Sequence, residues 1–316
     1  MKPPYTITPV IVELIASVSE KIGEVNANYL DKQSPTLRKQ NKIKTIQSSL
    51  QIEGNTLSEE QITALIENKR VIGPEKDVLE VLNAIQVYED LFQFDPLSEP
   101  SFLKAHKILM SGLIAGAGSY RKKGVGIVHG SQVAHVAPPA ENVPFLMKDL
   151  FDYLRSDEIP LIQSCVFHYE MEFIHPFADG NGRMGRLWQT MILVQKYAVF
   201  EFLPFETLIS ETQSHYYKAL SLSDKAGNST PFIEYMLTII DRSLSNLLSF
   251  NNRSFTQSDR IAYFIKSSGK KFSRKDYMKV FKDISTATAT RDLRKAEELN
   301  LVKRQGELNK TIYIVL

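Results

Sequence analysis

Apolar residues in this chain recur mostly at intervals of three and four, the spacing of a helix that buries one face. Ile11, Leu14, Val18, Ile22 and Val25 form the first such stripe, behind Thr8 as a cap and Pro9 in a first-turn position. The same spacing predicts helices near 36–53, 58–69, 75–94, 99–114, 141–155, 160–174, 182–197, 205–224 and 231–250, and Ser58 with Gln61 marks a capping box. One interval departs from it. Residues 120–144, YRKKGVGIVHGSQVAHVAPPAENVP, combine glycines and β-branched residues and close on a double proline, which reads as a short β-hairpin set into a helical body as a flap.

The pattern changes again after NNRSFTQ. A helix near 257–268, a second opened by Ser273 with Asp276, a third over TATATRDLRKAEEL and two strands around Gly306 make the order of a winged helix-turn-helix. The predicted fold is therefore mainly α, with a β-hairpin flap and a small C-terminal winged helix. Its segments are 1–95, 96–250 and 256–316. A chain of 316 residues with 43% hydrophobic content is long enough for such a division.

Charge separates the tail from the body. The net charge is +2, but residues 256–316 carry +7 and the rest −5. On the third tail helix Arg291, Arg294 and Lys295 lie within one turn, beside Asp292, Glu297 and Glu298. Two uses stay open: contact with DNA through a recognition helix, or docking of a protein. No run of about 18 apolar residues suggests a membrane span, and prolines and Glu13 interrupt the N-terminal stretch where a secretory leader needs an apolar run, so a cytoplasmic protein without membrane association is expected. The single cysteine, Cys165, lies in QSCVFHYEMEF and reads as core. Six histidines include no HExxH and no Cys/His cluster, which argues against a dedicated zinc site.

The chemistry concentrates in HPFADGNGRMGR, residues 175–186. Taken literally, GNGRMG satisfies GxGxxG, but a dinucleotide fingerprint follows a strand, and HYEMEFI before it has helical spacing; kinase motifs are absent as well. Pro176 ends one helix and leaves His175 at its exit, and Gly180-Asn181-Gly182 makes a turn into the next. Such a turn gathers backbone amides at the positive end of a helix dipole, an anion nest. Arg183 and Arg186 are three apart and can grip polyphosphate oxygens together. Asp179 is a hard oxygen ligand for Mg²⁺, and His175 suits removal of a proton from an attacking hydroxyl. The stretch reads as a phosphoryl-type transfer site.

The ordered set resembles the Fic family, whose pattern HPFx[D/E]GNGRxxR is matched at every defined position from His175 to Arg186. The flap, the downstream HYYKALSLSDKAG, the N-terminal segment and the winged tail extend the resemblance over essentially the whole chain. It implies a protein adenylyltransferase: AMP passes from ATP to a Ser, Thr or Tyr hydroxyl of a protein substrate, pyrophosphate leaves, and Mg²⁺ assists. By position, His175 would be the general base and Asp179 the magnesium ligand. Asn181, with the Gly180 and Gly182 amides, would hold the α-phosphate region, and Arg183 and Arg186 the β- and γ-phosphates. Tyr217, Tyr216 and Asp224 would lie near the base, and the hairpin tip, Val128, His129 and Gly130, would clamp the target by strand addition.

A second motif lies in KTIQSSLQIEGN. Ile43, Ile46 and Leu50 form the buried stripe of a helix, and Glu53 falls on the same stripe, so its carboxylate should point inward, need a cation, and be followed by Gly54 as the helix end. Ser49, Glu53 and Gly54 match the inhibitory pattern [S/T]xxxE[G/N] of self-inhibited Fic proteins, and the resemblance names Arg186 as the partner. Rivals are a DNA-binding regulator that uses the Fic fold as a nucleotide sensor, a Fic enzyme with another nucleotide cargo, and removal of AMP as well as transfer; a homodimer also stays open.

Overall fold

The computed structural model describes residues 2–28, 35–129, 132–252, 257–281, 284–306 and 311–316. Helix α1 (Pro9–Asn28) starts as its sequence suggests, with the Ile11 amide donating to Thr8 Oγ1 at 3.2 Å and Ile11, Val18, Ile22 and Val25 buried. α2 (Pro35–Ile52) buries Ile43, Ile46 and Leu50, and α3 (Glu59–Ile66) opens on the Ser58–Gln61 capping box. α4 (Glu75–Glu89) and α5 (Glu99–Leu109) follow, both shorter than their periodicity suggests; Leu91–Gln93 forms a separate 3₁₀ turn beyond α4.

The expected hairpin is present. β1 (Gly126–His129) pairs antiparallel with β2 (Gln132–Val136), with Val128 opposite Val133, His129 opposite Gln132, and a register shift between Ile127 and Val128. Gly130, expected at its tip, lies outside the described residues.

α6 (Val143–Leu154), α7 (Pro160–Ile174) and α8 (Asn181–Val194) come next. The single helix expected over 205–224 is two: α9 (Phe205–Glu211) and α10 (Gln213–Ala226). Thr212 between them takes φ −122°, ψ 36°, and its hydroxyl donates to Leu208 O at 2.6 Å, a local bond that competes with helix continuation. α11 (Thr230–Asn252) follows.

Two compact units emerge, residues 1–31 with 38–248 and residues 32–37 with 249–316. In the first, Phe102 is the hub of an aromatic cluster, 4.9 Å from Trp188, 5.3 Å from Phe177 and 5.6 Å from Phe151 between ring centres. Edge and tilted contacts of this kind add to burial energy. Phe177 is the phenylalanine of the HPF tripeptide, so the motif loop is anchored in the core. Cys165 is fully buried, as expected, and burial pushes its thiol up to about 12. No helix among the described residues is long and apolar enough to cross a membrane.

The second unit runs α12 (Gln257–Ser267), β3 (Lys271–Ser273), α13 (Arg274–Val280), α14 (Thr286–Glu298), β4 (Val302–Gln305) and β5 (Ile312–Val315), with strand order β3-β5-β4. The three helices, the Ser273–Asp276 capping box and the last two strands match the sequence reading. β3 is additional: three residues are too few to show a period, and the strand exists because Phe272 pairs with Tyr313 and stacks on its ring at 5.5 Å. Asp292 is 1% exposed, bonded by Arg260 Nε at 2.6 Å, Gln257 Nε2 at 3.2 Å and the Tyr277 hydroxyl at 3.0 Å.

Candidate active site

The site is built where α7 hands over to α8. Pro176 cannot continue α7, and His175 leaves it with φ 49°, ψ 61°, its amide still donating to Met171 O at 2.9 Å. A non-glycine residue in this left-handed conformation stores on the order of 1–3 kcal/mol unless its surroundings hold it. Asn181 fastens the loop on itself, accepting from the Phe177 amide at 2.9 Å and donating to Phe177 O at 3.0 Å. Its side-chain amide is thus engaged by the loop backbone.

Gly180 takes φ 87°, and a Cβ there would stand 2.7 Å from Met110 Sδ. No side chain caps α8, so the amides of its first turn remain for an anion. Asp179 Oδ1 accepts from the Gly180 amide at 2.6 Å and from Arg183 Nη2 at 2.9 Å. Its side chain is 46% exposed, and no group of three or more His, Cys, Asp or Glu that could hold a metal occurs among the described residues. One open carboxylate fits Mg²⁺ held by a protein oxygen together with phosphates and fits poorly a metal caged by protein alone.

Both motif arginines are engaged by carboxylates. Arg186 is fully buried; its Nε donates to Ser49 Oγ at 3.1 Å, and its Nη2 to Ser49 O at 2.9 Å and to Glu53 Oε1 at 2.7 Å. Burial alone would lower its pKa, but Glu53, with Tyr216 and Glu172, outweighs burial and holds it above the ordinary arginine value. Ser49, Glu53 and Arg186 therefore meet as the motif suggests. The expected setting of Glu53 on the buried helical stripe needs correction: α2 ends at Ile52, Glu53 and Gly54 form the turn beyond it, and the Glu53 side chain keeps 28% exposure. From that turn the carboxylate reaches across to α8. Gly182 leaves the space: a Cβ there would stand 2.5 Å from Glu53 Oε1.

Arg183 is held by a residue the sequence reading passed over. Its Nη1 donates to Glu80 Oε1 at 3.0 Å, and Glu80, 5% exposed, also accepts from Asn55 Nδ2 at 2.9 Å. Glu80 lies four residues before Ala84 and seven before Val87, both buried, the same sign of an inward carboxylate that marked Glu53. His106 is a second omission. Its Nδ1 accepts from the Gly118 amide at 2.8 Å, so its other nitrogen carries the hydrogen and donates to Asp179 O at 3.0 Å. Its ring stacks on Phe177 at 3.5 Å, and burial lowers its pKa to about 4, so at neutral pH it is a fixed, uncharged brace.

The residues expected around the base divide. Tyr217 is half-buried and its hydroxyl accepts from Gln213 Nε2 at 3.4 Å, while Gln213 also donates to Ile52 O at 2.7 Å, beside the Glu53 turn. Tyr216 is 1% exposed, its hydroxyl 3.1 Å from His168 Nε2, which withdraws it from any open surface. Asp224 accepts from the Tyr169 hydroxyl at 3.0 Å. Val128 and His129 are placed on β1 by backbone pairing.

Over its full length the chain matches the crystal structure of a Fic family protein from Desulfovibrio desulfuricans G20, with 42% identity, 98% of that chain covered and a TM-score of 0.77. The chain belongs to the Fic family. The Fic/DOC family profile matches residues 96–193, from just before α5 to the end of α8. A structure of Fic-1 (residues 134–508) from Caenorhabditis elegans shares the fold at 24% identity and TM-score 0.64, covering 78% of this chain. Among curated relatives, protein adenylyltransferase fic-1 of C. elegans is 28% identical over 211 residues, which cover 62% of this Fic chain and 39% of that protein. Protein adenylyltransferase Fic of Nematostella vectensis is 27% identical, with 63% and 47% covered. The Fic chain thus spans less than half the length of these relatives.

Proposed function

We propose that the chain is a self-inhibited protein adenylyltransferase that moves AMP from ATP to a Ser, Thr or Tyr hydroxyl of a target protein and of itself. The observation that carries the reading is the Glu53–Arg186 contact at 2.7 Å within an otherwise complete anion loop. The first-turn amides of α8 would receive the phosphates, Arg183 and Arg186 would hold their far end, and Asp179 would hold Mg²⁺, which supplies charge neutralisation on the phosphates when bound. His175 takes the acceptor hydroxyl's proton as that oxygen bonds to the α-phosphorus. The bond from this phosphorus to the bridging oxygen breaks, and pyrophosphate leaves. A placed general base contributes about 10²- to 10⁴-fold to such a step. The hairpin would offer its strand edge to the target segment.

The test is labelled ATP. Label on the α-phosphate should enter protein and label on the γ-phosphate should not; His175→Ala should abolish transfer while ATP still binds. Undiminished labelling in that variant refutes the mechanism, and transfer of γ-label would point to another cargo. Chasing the modified protein with unlabelled ATP shows whether AMP is also removed.

A further property, DNA contact by the C-terminal unit, is supported by the burial of Asp292. With that carboxylate bonded to Arg260, the exposed face of α14 presents Thr286, Thr290, Arg291, Arg294 and Lys295, opposed by Glu298. Such a face suits a groove lined by phosphates. The intact His175 argues for a chain that transfers AMP, and against one that only senses nucleotide.

A further inference from the structure

Arg121 is 6% exposed, and among the described residues its guanidinium meets backbone carbonyls. Its Nε donates to His175 O at 2.7 Å, Nη1 to Lys123 O at 2.9 Å, and Nη2 to Pro138 O at 2.5 Å and Ile174 O at 3.2 Å; its own amide donates to Pro176 O at 2.8 Å. Burial draws its pKa below the ordinary arginine value, yet a guanidinium stays charged. Burying a charge against neutral partners is costly, and the planar fork reaches four acceptors at fixed angles that an ammonium cannot reproduce.

The acceptors fall into two groups. Ile174, His175 and Pro176 are the end of α7 and the loop that carries the base; the first two carbonyls also lie at the negative end of the helix dipole, which a cation stabilises. Lys123 stands three residues before β1 and Pro138 two after β2, so they are the two feet of the hairpin. One side chain therefore pins the base-bearing backbone and the hairpin to a common point. We infer that Arg121 is a positioning residue that sets His175 against the target segment held on the hairpin. It fixes the peptide planes on both sides of the left-handed His175 while holding the feet of the strand pair at the same place.

The inference rests on reading His175 as the base and the hairpin as the target-binding edge. Its experiment uses the full chain carrying Glu53→Gly, so that transfer is measurable, with Arg121→Lys and Arg121→Met added separately. Among the described residues Arg121 makes no hydrogen bond with the loop from Asp179 to Arg186, so ATP affinity should stay within about twofold. The kcat for AMP transfer should fall roughly 10- to 100-fold in Arg121→Met, as expected for a misplacement on the order of 1 Å, and recover in part in Arg121→Lys. Amide hydrogen exchange over 126–129 and 132–136 should speed up in both variants. A folded Arg121→Met protein with kcat unchanged, a loss of kcat with hairpin exchange unchanged, or a parallel loss of ATP affinity overturns the inference. Should the Glu53→Gly parent transfer no AMP at all, the adenylyltransferase reading fails instead, and the exchange measurement alone decides whether Arg121 holds the hairpin.

Discussion

The Glu53 carboxylate reaches the first turn of α8 and stands 2.7 Å from Nη2 of Arg186, in space that a glycine at position 182 leaves open. On the proposed reading, in which Arg186 holds polyphosphate, it brings negative charge to the guanidinium that the phosphates need. Glu53→Gly should therefore raise AMP transfer, self-modification included, by at least about tenfold, since restoring alignment lost by about 1 Å is worth on the order of 10²-fold. Arg186 keeps both bonds to Ser49, so the variant should fold. Adding His175→Ala must silence it. A folded Glu53→Gly protein no more active than its parent on α-labelled ATP refutes inhibition by this residue.

Gly185 falls at an undefined position of the HPFx[D/E]GNGRxxR pattern, yet the packing allows no side chain there. A Cβ would stand 2.6 Å from Cδ2 of His168, whose buried ring is held by Gln189 at 2.7 Å and Tyr216 at 3.1 Å and cannot step aside. Gly185→Ala should destabilise the protein by about 1–3 kcal/mol, seen as a Tm lowered by several degrees. An unchanged Tm would show that this core is looser than its geometry.

Stability should fall as pH rises from about 6.5 toward 8. Burial lowers His106 to about 4 and His168 to about 3 from 6.5, so their contribution is complete above pH 6.5 and is lost as pH falls through those values. Glu206, fully buried, is pushed up from 4.5 to about 8, chiefly by burial; its contribution is complete below pH 4.5 and drains away as pH rises to about 8. Glu170 is likewise raised, from 4.5 to about 7, chiefly by burial, so between pH 4.5 and 6.5 two histidines oppose two carboxyls and stability stays nearly level; above 6.5 the carboxyls alone weigh, and the Glu206 share of the fall is about 2 kcal/mol toward pH 8. Glu206→Gln should flatten that alkaline limb between pH 7 and 8 in denaturant titrations. A limb of equal slope in the variant would assign the decline to other groups.

In the C-terminal unit, binding to mixed duplex DNA should weaken steeply with salt, and Arg291→Ala with Arg294→Ala should reduce it further and flatten the salt slope. Asp292→Ala should leave DNA affinity unimproved and destabilise the unit instead, because it removes the buried carboxylate to which Arg260 and the Tyr277 hydroxyl bond. No binding at low salt would favour protein docking by this unit.

Much of this protein is local and could be read from the chain alone. Helical stripes, the Ser58 and Ser273 caps, the hairpin between helices and the contiguous 175–186 loop each depend on residues a few positions apart, where spacing and side-chain type decide the backbone. The break at Thr212 was hidden because the apolar period runs on through it while a single hydroxyl back-bonds to Leu208. The pair Glu53–Arg186 was legible only because two motifs implied each other; its distance, its fully buried arginine and the turn that carries Glu53 came from packing. Glu80 on Arg183 and Arg121 on four carbonyls had to await the tertiary structure. Their partners lie on separate segments of the chain, and a guanidinium bonded to backbone oxygens selects no particular side chain, so it leaves no mark in the sequence of the loop it holds.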